Sequence, residues 1–222
     1  MADAEATALA SLQDDGRQDY VQEPPTRKHS RGGPASGPPG WPDDILYLES
    51  NDLSNLSVQD KRIVRPGASS KIPGIEIRSI TDPAHPAHGQ NGLYATRDFG
   101  VGEVLGEYTG FVMPGHMGGE YTTRLWDTDA EPGNPHPACN ASKGGNEFRF
   151  INDFRCVPGD KGSNVRFSAC HIQGARSALI VAIKDVAEGE EFLLDYGEQY
   201  WSAETLALFQ TWKPSDTPAV EE

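Results

Sequence analysis

The chain has 222 residues, and 33 Asp and Glu against 19 Lys and Arg leave a formal net charge of −14. Gly (24) and Pro (17) exceed average usage, only 36% of residues are hydrophobic, and the cysteines number 3. That length holds one ordinary domain with tails, and so few thiols supply neither a disulfide framework nor a four-thiolate zinc site. No run approaches the roughly 18 apolar residues of a membrane span, and the N-terminus carries no basic-then-apolar signal. The acidic balance disfavours a nucleic-acid binder and suits a basic partner.

The acidity is spread along the chain. Residues 1–43 hold 4 basic and 7 acidic side chains, residues 44–201 hold 14 and 22, and residues 202–222 hold 1 and 4. The first 43 residues read as an unordered leader, because Ser30 to Pro42 offers little beyond Ala35 and Trp41 to bury. The cluster Arg27 to Arg31 is short and diluted, and reads as solvated linker rather than an import signal. Residues 44–72 form a flank, with order expected from Ile45-Leu46-Tyr47-Leu48. Ile75 to Ile80 alternates apolar and polar, as a half-buried strand does. Val104 to Tyr108, Arg149 to Asn152, Val165 to Phe167 and Ala178 to Ala182 are further strand candidates. Between them, residues 111–148 are rich in Gly and Pro and read as a long loop insertion lining or covering a site. Ser202 as N-cap, Leu206, Leu208 and Phe209, and a stop at Pro214 predict one C-terminal helix within a 202–222 tail. The fold class expected is mostly β, with small sheets, long loops and a terminal helix.

Several chemistries lack support. No Gly-rich loop leads into Lys-Ser or Lys-Thr, and no Gly-x-Ser-x-Gly elbow occurs. His85 and His88 are three apart, but Pro83 and Pro86 break any helix that would align them, so they read as loop imidazoles. His136 with Cys139, and Cys170 with His171, are too sparse for zinc, and no metal is expected.

Four blocks remain: Gly89 to Ala95 around an Asn-Gly turn; Gly106-Glu107-Tyr108-Thr109-Gly110; Phe148 to Cys156 with Asn164 to Phe167; and Gly189 to Gly197 with Tyr200-Trp201 after it. Each alone has a plain account as a turn, a strand end or a core strand. Their order resembles the SET domain of protein lysine methyltransferases. That family carries a Gly-x-Gly turn before a Leu-aromatic-Ala segment, then Glu-Tyr-x-Gly, then Arg-Phe-x-Asn-His. An Ile-x-Ala, Asp-Ile, Gly-Glu-Glu-Leu and Asp-Tyr-Gly series closes it. Here Ile180 to Ala182, Asp185-Val186, Gly189-Glu190-Glu191 and Asp195-Tyr196-Gly197 match the series most specifically. The likeness spans about residues 75–201, and the domain is assigned to 73–201. Gln90 replaces the first glycine, Asp153 replaces the histidine, and no cysteine follows Cys170, so the family's C-terminal cysteine cluster is missing.

The resemblance implies a SET-type fold with a pseudoknot and S-adenosylmethionine as cofactor. Tyr196 would be the catalytic tyrosine, with Tyr108 lining the same channel. Gln90, Asn91, Gly92, Leu93, Tyr94, Arg149, Asn152 and Asp153, with Tyr196, would hold the cofactor; Arg149 and Phe150 would begin the pseudoknot strand. Leu194, two before the catalytic tyrosine, leans towards more than one methylation. Trp201, Phe209 and Trp212 would either close the lysine channel or anchor the terminal helix. The expected partner is a basic protein bearing lysine, a histone tail first, in nucleus or cytoplasm, with no nucleic acid or membrane contact. A methyltransferase of non-histone proteins and an inactive SET-like binding module are the rival readings.

Overall fold

A computed structural model describes residues 37–64, 73–115, 120–125, 137–159, 161–172 and 175–201. In chain order the strands are β1 (Leu46–Tyr47), β2 (Ile75–Ser79), β3 (Asn91–Ala95), β4 (Val104–Glu107), β5 (Phe111–Met113) and β6 (Thr122–Arg124). β7 (Ala138–Asn140), β8 (Gly144–Gly145), β9 (Asn152–Asp153), β10 (Val165–Ile172), β11 (Ala175–Ala182) and β12 (Leu193–Leu194) follow. The architecture is mostly β and built of small sheets. β10, β11 and β4 form one antiparallel sheet, β5, β7 and β6 another, and β2 pairs with β3. β1 with β8, and β9 with β12, pair in parallel.

The core follows from alternation. Ala178, Ile180 and Ala182 of β11 are buried in one cluster with Val165 and Leu105 of the adjoining β10 and β4 and with Leu93 of β3. Phe99 and Phe192 pack edge to face with centroids 5.3 Å apart. Phe192 is 0% exposed and its amide donates to the Leu93 carbonyl, so it is the apolar residue just behind the site-forming strand β12. Phe192→Ala is expected to cost about 3–5 kcal/mol, read as a lower urea midpoint at unchanged slope.

Buried polar groups are matched. Ser177 Oγ donates to Glu107 Oε1 at 2.8 Å, and Asn146 Nδ2 donates to the Glu107 carbonyl at 2.7 Å. Gly145 is required by close approach, because an added Cβ would lie 2.8 Å from the Thr109 carbonyl oxygen.

Three segments differ from the sequence expectation. Trp41, within the stretch read as unordered leader, is packed: its indole donates to the Ile45 carbonyl at 2.7 Å, and its ring contacts Tyr47 and Phe150. Residues 147–150 form a 3-10 turn rather than a strand, and the strand begins only at Asn152. Phe148, Arg149 and Phe150 are all buried, and a strand would turn the middle one to the opposite face, whereas a turn fans all three inward. Residues 111–148 are not a bare loop: β5, β6 and β7 within them bury Val112, Thr123, Leu125 and Cys139. The β9–β12 pairing is the long-range crossing at which the resemblance expects a pseudoknot. The predicted C-terminal helix, with Phe209 and Trp212, lies outside the described residues.

Candidate active site

A cleft of about 780 Å³ opens between β3, β6, the 147–150 turn and the end of β12. Tyr196 lines it. Its hydroxyl donates to the Ile151 carbonyl at 2.6 Å, and its backbone amide donates to Asp153 Oδ2 at 2.7 Å. The residue is 37% exposed overall, so part of its ring faces the cleft while the hydroxyl is held inward. Burial first, then the neighbouring Tyr200, Tyr121, Asp153 and Glu120, raises its phenol well above the ordinary value. The phenol is thus a hydrogen-bond donor at neutral pH.

Asp153 organises this end of the cleft. Its buried carboxylate also accepts the Arg155 amide at 2.8 Å and the Arg155 guanidinium at 2.9 Å. Arg155 reaches on to Asp195 Oδ1 at 2.8 Å, and the same oxygen accepts the Gly197 amide at 2.7 Å. Although burial pulls the Asp195 carboxyl upward, the Gly197 amide and Arg155 hold it below its ordinary value. The Asp195-Tyr196-Gly197 segment is therefore tied by charge-assisted bonds to Asp153 of β9 through the Tyr196 amide and to Arg155 through Asp195.

The opposite wall is aromatic. Tyr108 is buried, donates its hydroxyl to the Tyr121 carbonyl at 3.0 Å and meets Phe167 edge to face at 5.3 Å. Burial, followed by Cys139, Tyr196 and Tyr121, pushes its phenol up. The Arg149 guanidinium lies 4.5 Å from the Tyr121 ring centroid, and its Nε donates to the Ala141 carbonyl at 3.1 Å. Tyr121 adopts φ 61, a left-handed conformation unusual for a bulky residue, and it belongs to the segment read as an insertion. Leu194 is buried against the cleft, and Tyr196, Tyr200 and Trp201 stack edge to face along its rim.

β3 contributes less than its motif suggests. Gln90 and Asn91 line the cleft, but Gly92, Leu93 and Tyr94 do not. Leu93 is 0% exposed in the core, and its carbonyl already accepts the Phe192 amide. Tyr94 turns its hydroxyl towards Glu191 Oε2 at 3.4 Å, and burial, then Glu191, raises its phenol to about 12. Gly92 serves Glu191 too: an added Cβ would lie 2.6 Å from Glu191 Oε1 and 3.0 Å from the Tyr94 ring. Gly92→Ala should push Glu191 aside at a cost of about 1–3 kcal/mol, seen as a lower melting temperature.

The geometry therefore gathers Gln90, Asn91, Tyr108, Arg149, Asn152, Asp153, Leu194, Tyr196 and Trp201 around one cleft. It adds groups that sequence reasoning passed over. Glu191 lies inside a recognised motif but carried no assigned role. Arg155 follows Asp153 by two residues, and Tyr121 sits in the segment read as a loop. His85, read as a loop imidazole, lies 3.1 Å from Glu191 Oε2.

The sequence model of the SET domain matches residues 90–197. No curated protein matches the chain. Among solved structures, a Chaetomium thermophilum polycomb repressive complex 2 has 23% identity and a TM-score of 0.43, covering 56% of this chain and 15% of that one. An active polycomb repressive complex 2 in the basal state has 24% identity and a TM-score of 0.44, with the same coverage of 56% and 15%. The Chaetomium complex bound to GSK126 has 22% identity and a TM-score of 0.43, with coverage of 61% and 17%. The chain thus spans about 15% of the length of the first of these. The motif order and the mostly β architecture of small sheets accord with this match, and residues 90–197 of the chain are similar to the SET domain.

Proposed function

We propose that this protein methylates lysine side chains of other proteins using S-adenosylmethionine, with a histone tail as the first substrate to consider. The observation that carries this reading is the held phenol of Tyr196, with Tyr108 opposite it, in a cleft edged by Tyr200 and Trp201. The residues present suit the cofactor. Asn152 spends its amide hydrogens on Glu191 Oε1 at 2.9 Å and the Asn91 carbonyl at 3.3 Å, which leaves Oδ1 as the acceptor for an ammonium group. Aromatic faces nearby suit a positively charged methyl donor. When bound, the cofactor supplies an activated methyl group.

The chain's own residues would do the rest. A lysine amine has an ordinary pKa of about 10.4, and a buried aromatic channel disfavours its charged form. Tyr108 and Tyr196 would form that channel, and alignment of the amine would supply most of the acceleration. Asp153 and Arg155 would fix the Tyr196 backbone so that alignment is kept. Leu194 presents no hydroxyl and leaves space for a second methyl group. Intact-mass spectra of product should accordingly show dimethyl-lysine, and Leu194→Tyr should confine product to the first methylation.

An acidic chain of net charge −14 suits a basic substrate in the nucleus or cytoplasm. Transfer of radiolabelled methyl groups to purified histones, run beside whole-cell extract, tests the proposal. Label on histone lysines supports it. Label confined to extract proteins moves the substrate to the non-histone class, and no label in either contradicts methyltransferase activity.

A further inference from the structure

Resting on that reading of the cleft, we infer that His85 is a positioning residue for cofactor capture, acting through Glu191 on Asn152. His85 is 6% exposed, in the loop joining β2 to β3, and this loop is held rigidly. The Asp82 carboxylate accepts the Ala84 amide at 2.8 Å, the Gln90 amide donates to the Ala87 carbonyl, and Ile80 and Gln90 close the base. Within the loop the Ala87 amide donates to His85 Nδ1 at 3.0 Å. An imidazole nitrogen that accepts carries no hydrogen, so the ring proton belongs on Nε2. Nε2 lies 3.1 Å from Glu191 Oε2 and donates to it.

Glu191 is a buried carboxylate, 8% exposed at its side chain, and both of its oxygens are engaged. Oε2 takes His85 and, more distantly, Tyr94; Oε1 takes the Asn152 amide at 2.9 Å. With Nδ2 drawn to Glu191, the Asn152 amide has only one orientation, its Oδ1 presented as an acceptor. Without the His85 bond Glu191 Oε2 keeps only the longer Tyr94 contact at 3.4 Å, and the carboxylate holds Asn152 less firmly. The amide's sense then rests mainly on the longer Asn91 bond at 3.3 Å, and a 180° turn would present Nδ2 to a cationic ligand instead. His85 lies outside the residues 90–197 that match the SET domain, and its place follows from the β2–β3 loop of this chain and the Glu191 hydrogen bond.

The test compares wild type, His85→Ala and His85→Gln, with binding of S-adenosylmethionine measured by calorimetry. Gln can place an amide donor near Glu191, whereas Ala cannot. The expected result is a dissociation constant roughly 10-fold weaker for His85→Ala, as for loss of one bond to a charged group, with substantial recovery in His85→Gln. Under methyl transfer, the cofactor KM of His85→Ala should rise while the KM for the protein substrate stays unchanged. A long-range ¹⁵N–¹H spectrum of wild type should show His85 with Nε2 protonated and Nδ1 bare. Equal affinity in wild type and His85→Ala overturns the inference, as does a protein-substrate KM that rises in step. Failure of wild type to bind the cofactor at all would instead overturn the reading of the cleft. Should His85→Ala fail to fold, His85→Gln and the ring tautomer decide: the opposite tautomer overturns the inference.

Discussion

Tyr196→Phe is expected to abolish methyl transfer, by about 10²–10⁴-fold in kcat, while leaving a folded protein. The substitution removes one oxygen, and two consequences separate. The donated bond to the Ile151 carbonyl is lost, which leaves that acceptor unmatched and costs on the order of 1 kcal/mol of stability. The aromatic face remains, with its edge contact to Tyr200 at 4.8 Å. Cofactor affinity should therefore change little while turnover collapses. Single-turnover methyl transfer and a melting curve on the same sample check both halves. Undiminished turnover would remove Tyr196 from the chemistry.

The second large effect is expected at Asp153. Asp153→Ala takes away the acceptor of the Tyr196 amide, the Arg155 amide and the Arg155 guanidinium at once. Removing one partner of a buried ion pair costs about 3 kcal/mol here, the low end for such losses because Asp195 still holds Arg155. Turnover should fall as well, since Tyr196 loses its backbone anchor. Urea denaturation and kcat read the two effects.

The neighbouring Asp195 gives this region a pH signature. Its carboxyl is held below the ordinary value in the folded state, so its contribution is fully present above the ordinary carboxylate range. That contribution is lost as pH falls through the lowered folded value. The phenols of Tyr108 and Tyr196 act in the opposite direction. Raised in the folded state, they favour folding at neutral pH, and this is lost as pH climbs through their elevated values.

Much of this site was legible in the chain. The motif order located β3, β4, β9 and β12, and Tyr108, Tyr196, Asn152 and Asp153 fall on one cleft. What escaped was decided by long-range contacts. Sequence cannot show that Glu191 faces His85 across 106 positions, because that pairing depends on how the β2–β3 loop folds over β3. Nor does the motif tell that Leu93 and Tyr94 turn away from the cleft, since strand alternation was masked by burial on both faces. Arg149 to Asn152 reads as a strand, yet Arg149 and Phe150 close a 3-10 turn and only Asn152 enters β9. Gly and Pro in residues 111–148 concealed a real sheet, because strands of three residues carry too little pattern to stand out. Trp41 lay in a stretch too poor in apolar residues to predict order, but one indole wedged between Tyr47 and Phe150 suffices to dock it.

Calorimetric titration of the purified chain with S-adenosylmethionine addresses the central claim most directly. Saturable heat at one site per chain is predicted, carried by the cleft around Asn152 and Tyr196. An absence of heat across the accessible cofactor range would contradict a methyl-donor site and leave a SET-like fold serving as a binding module.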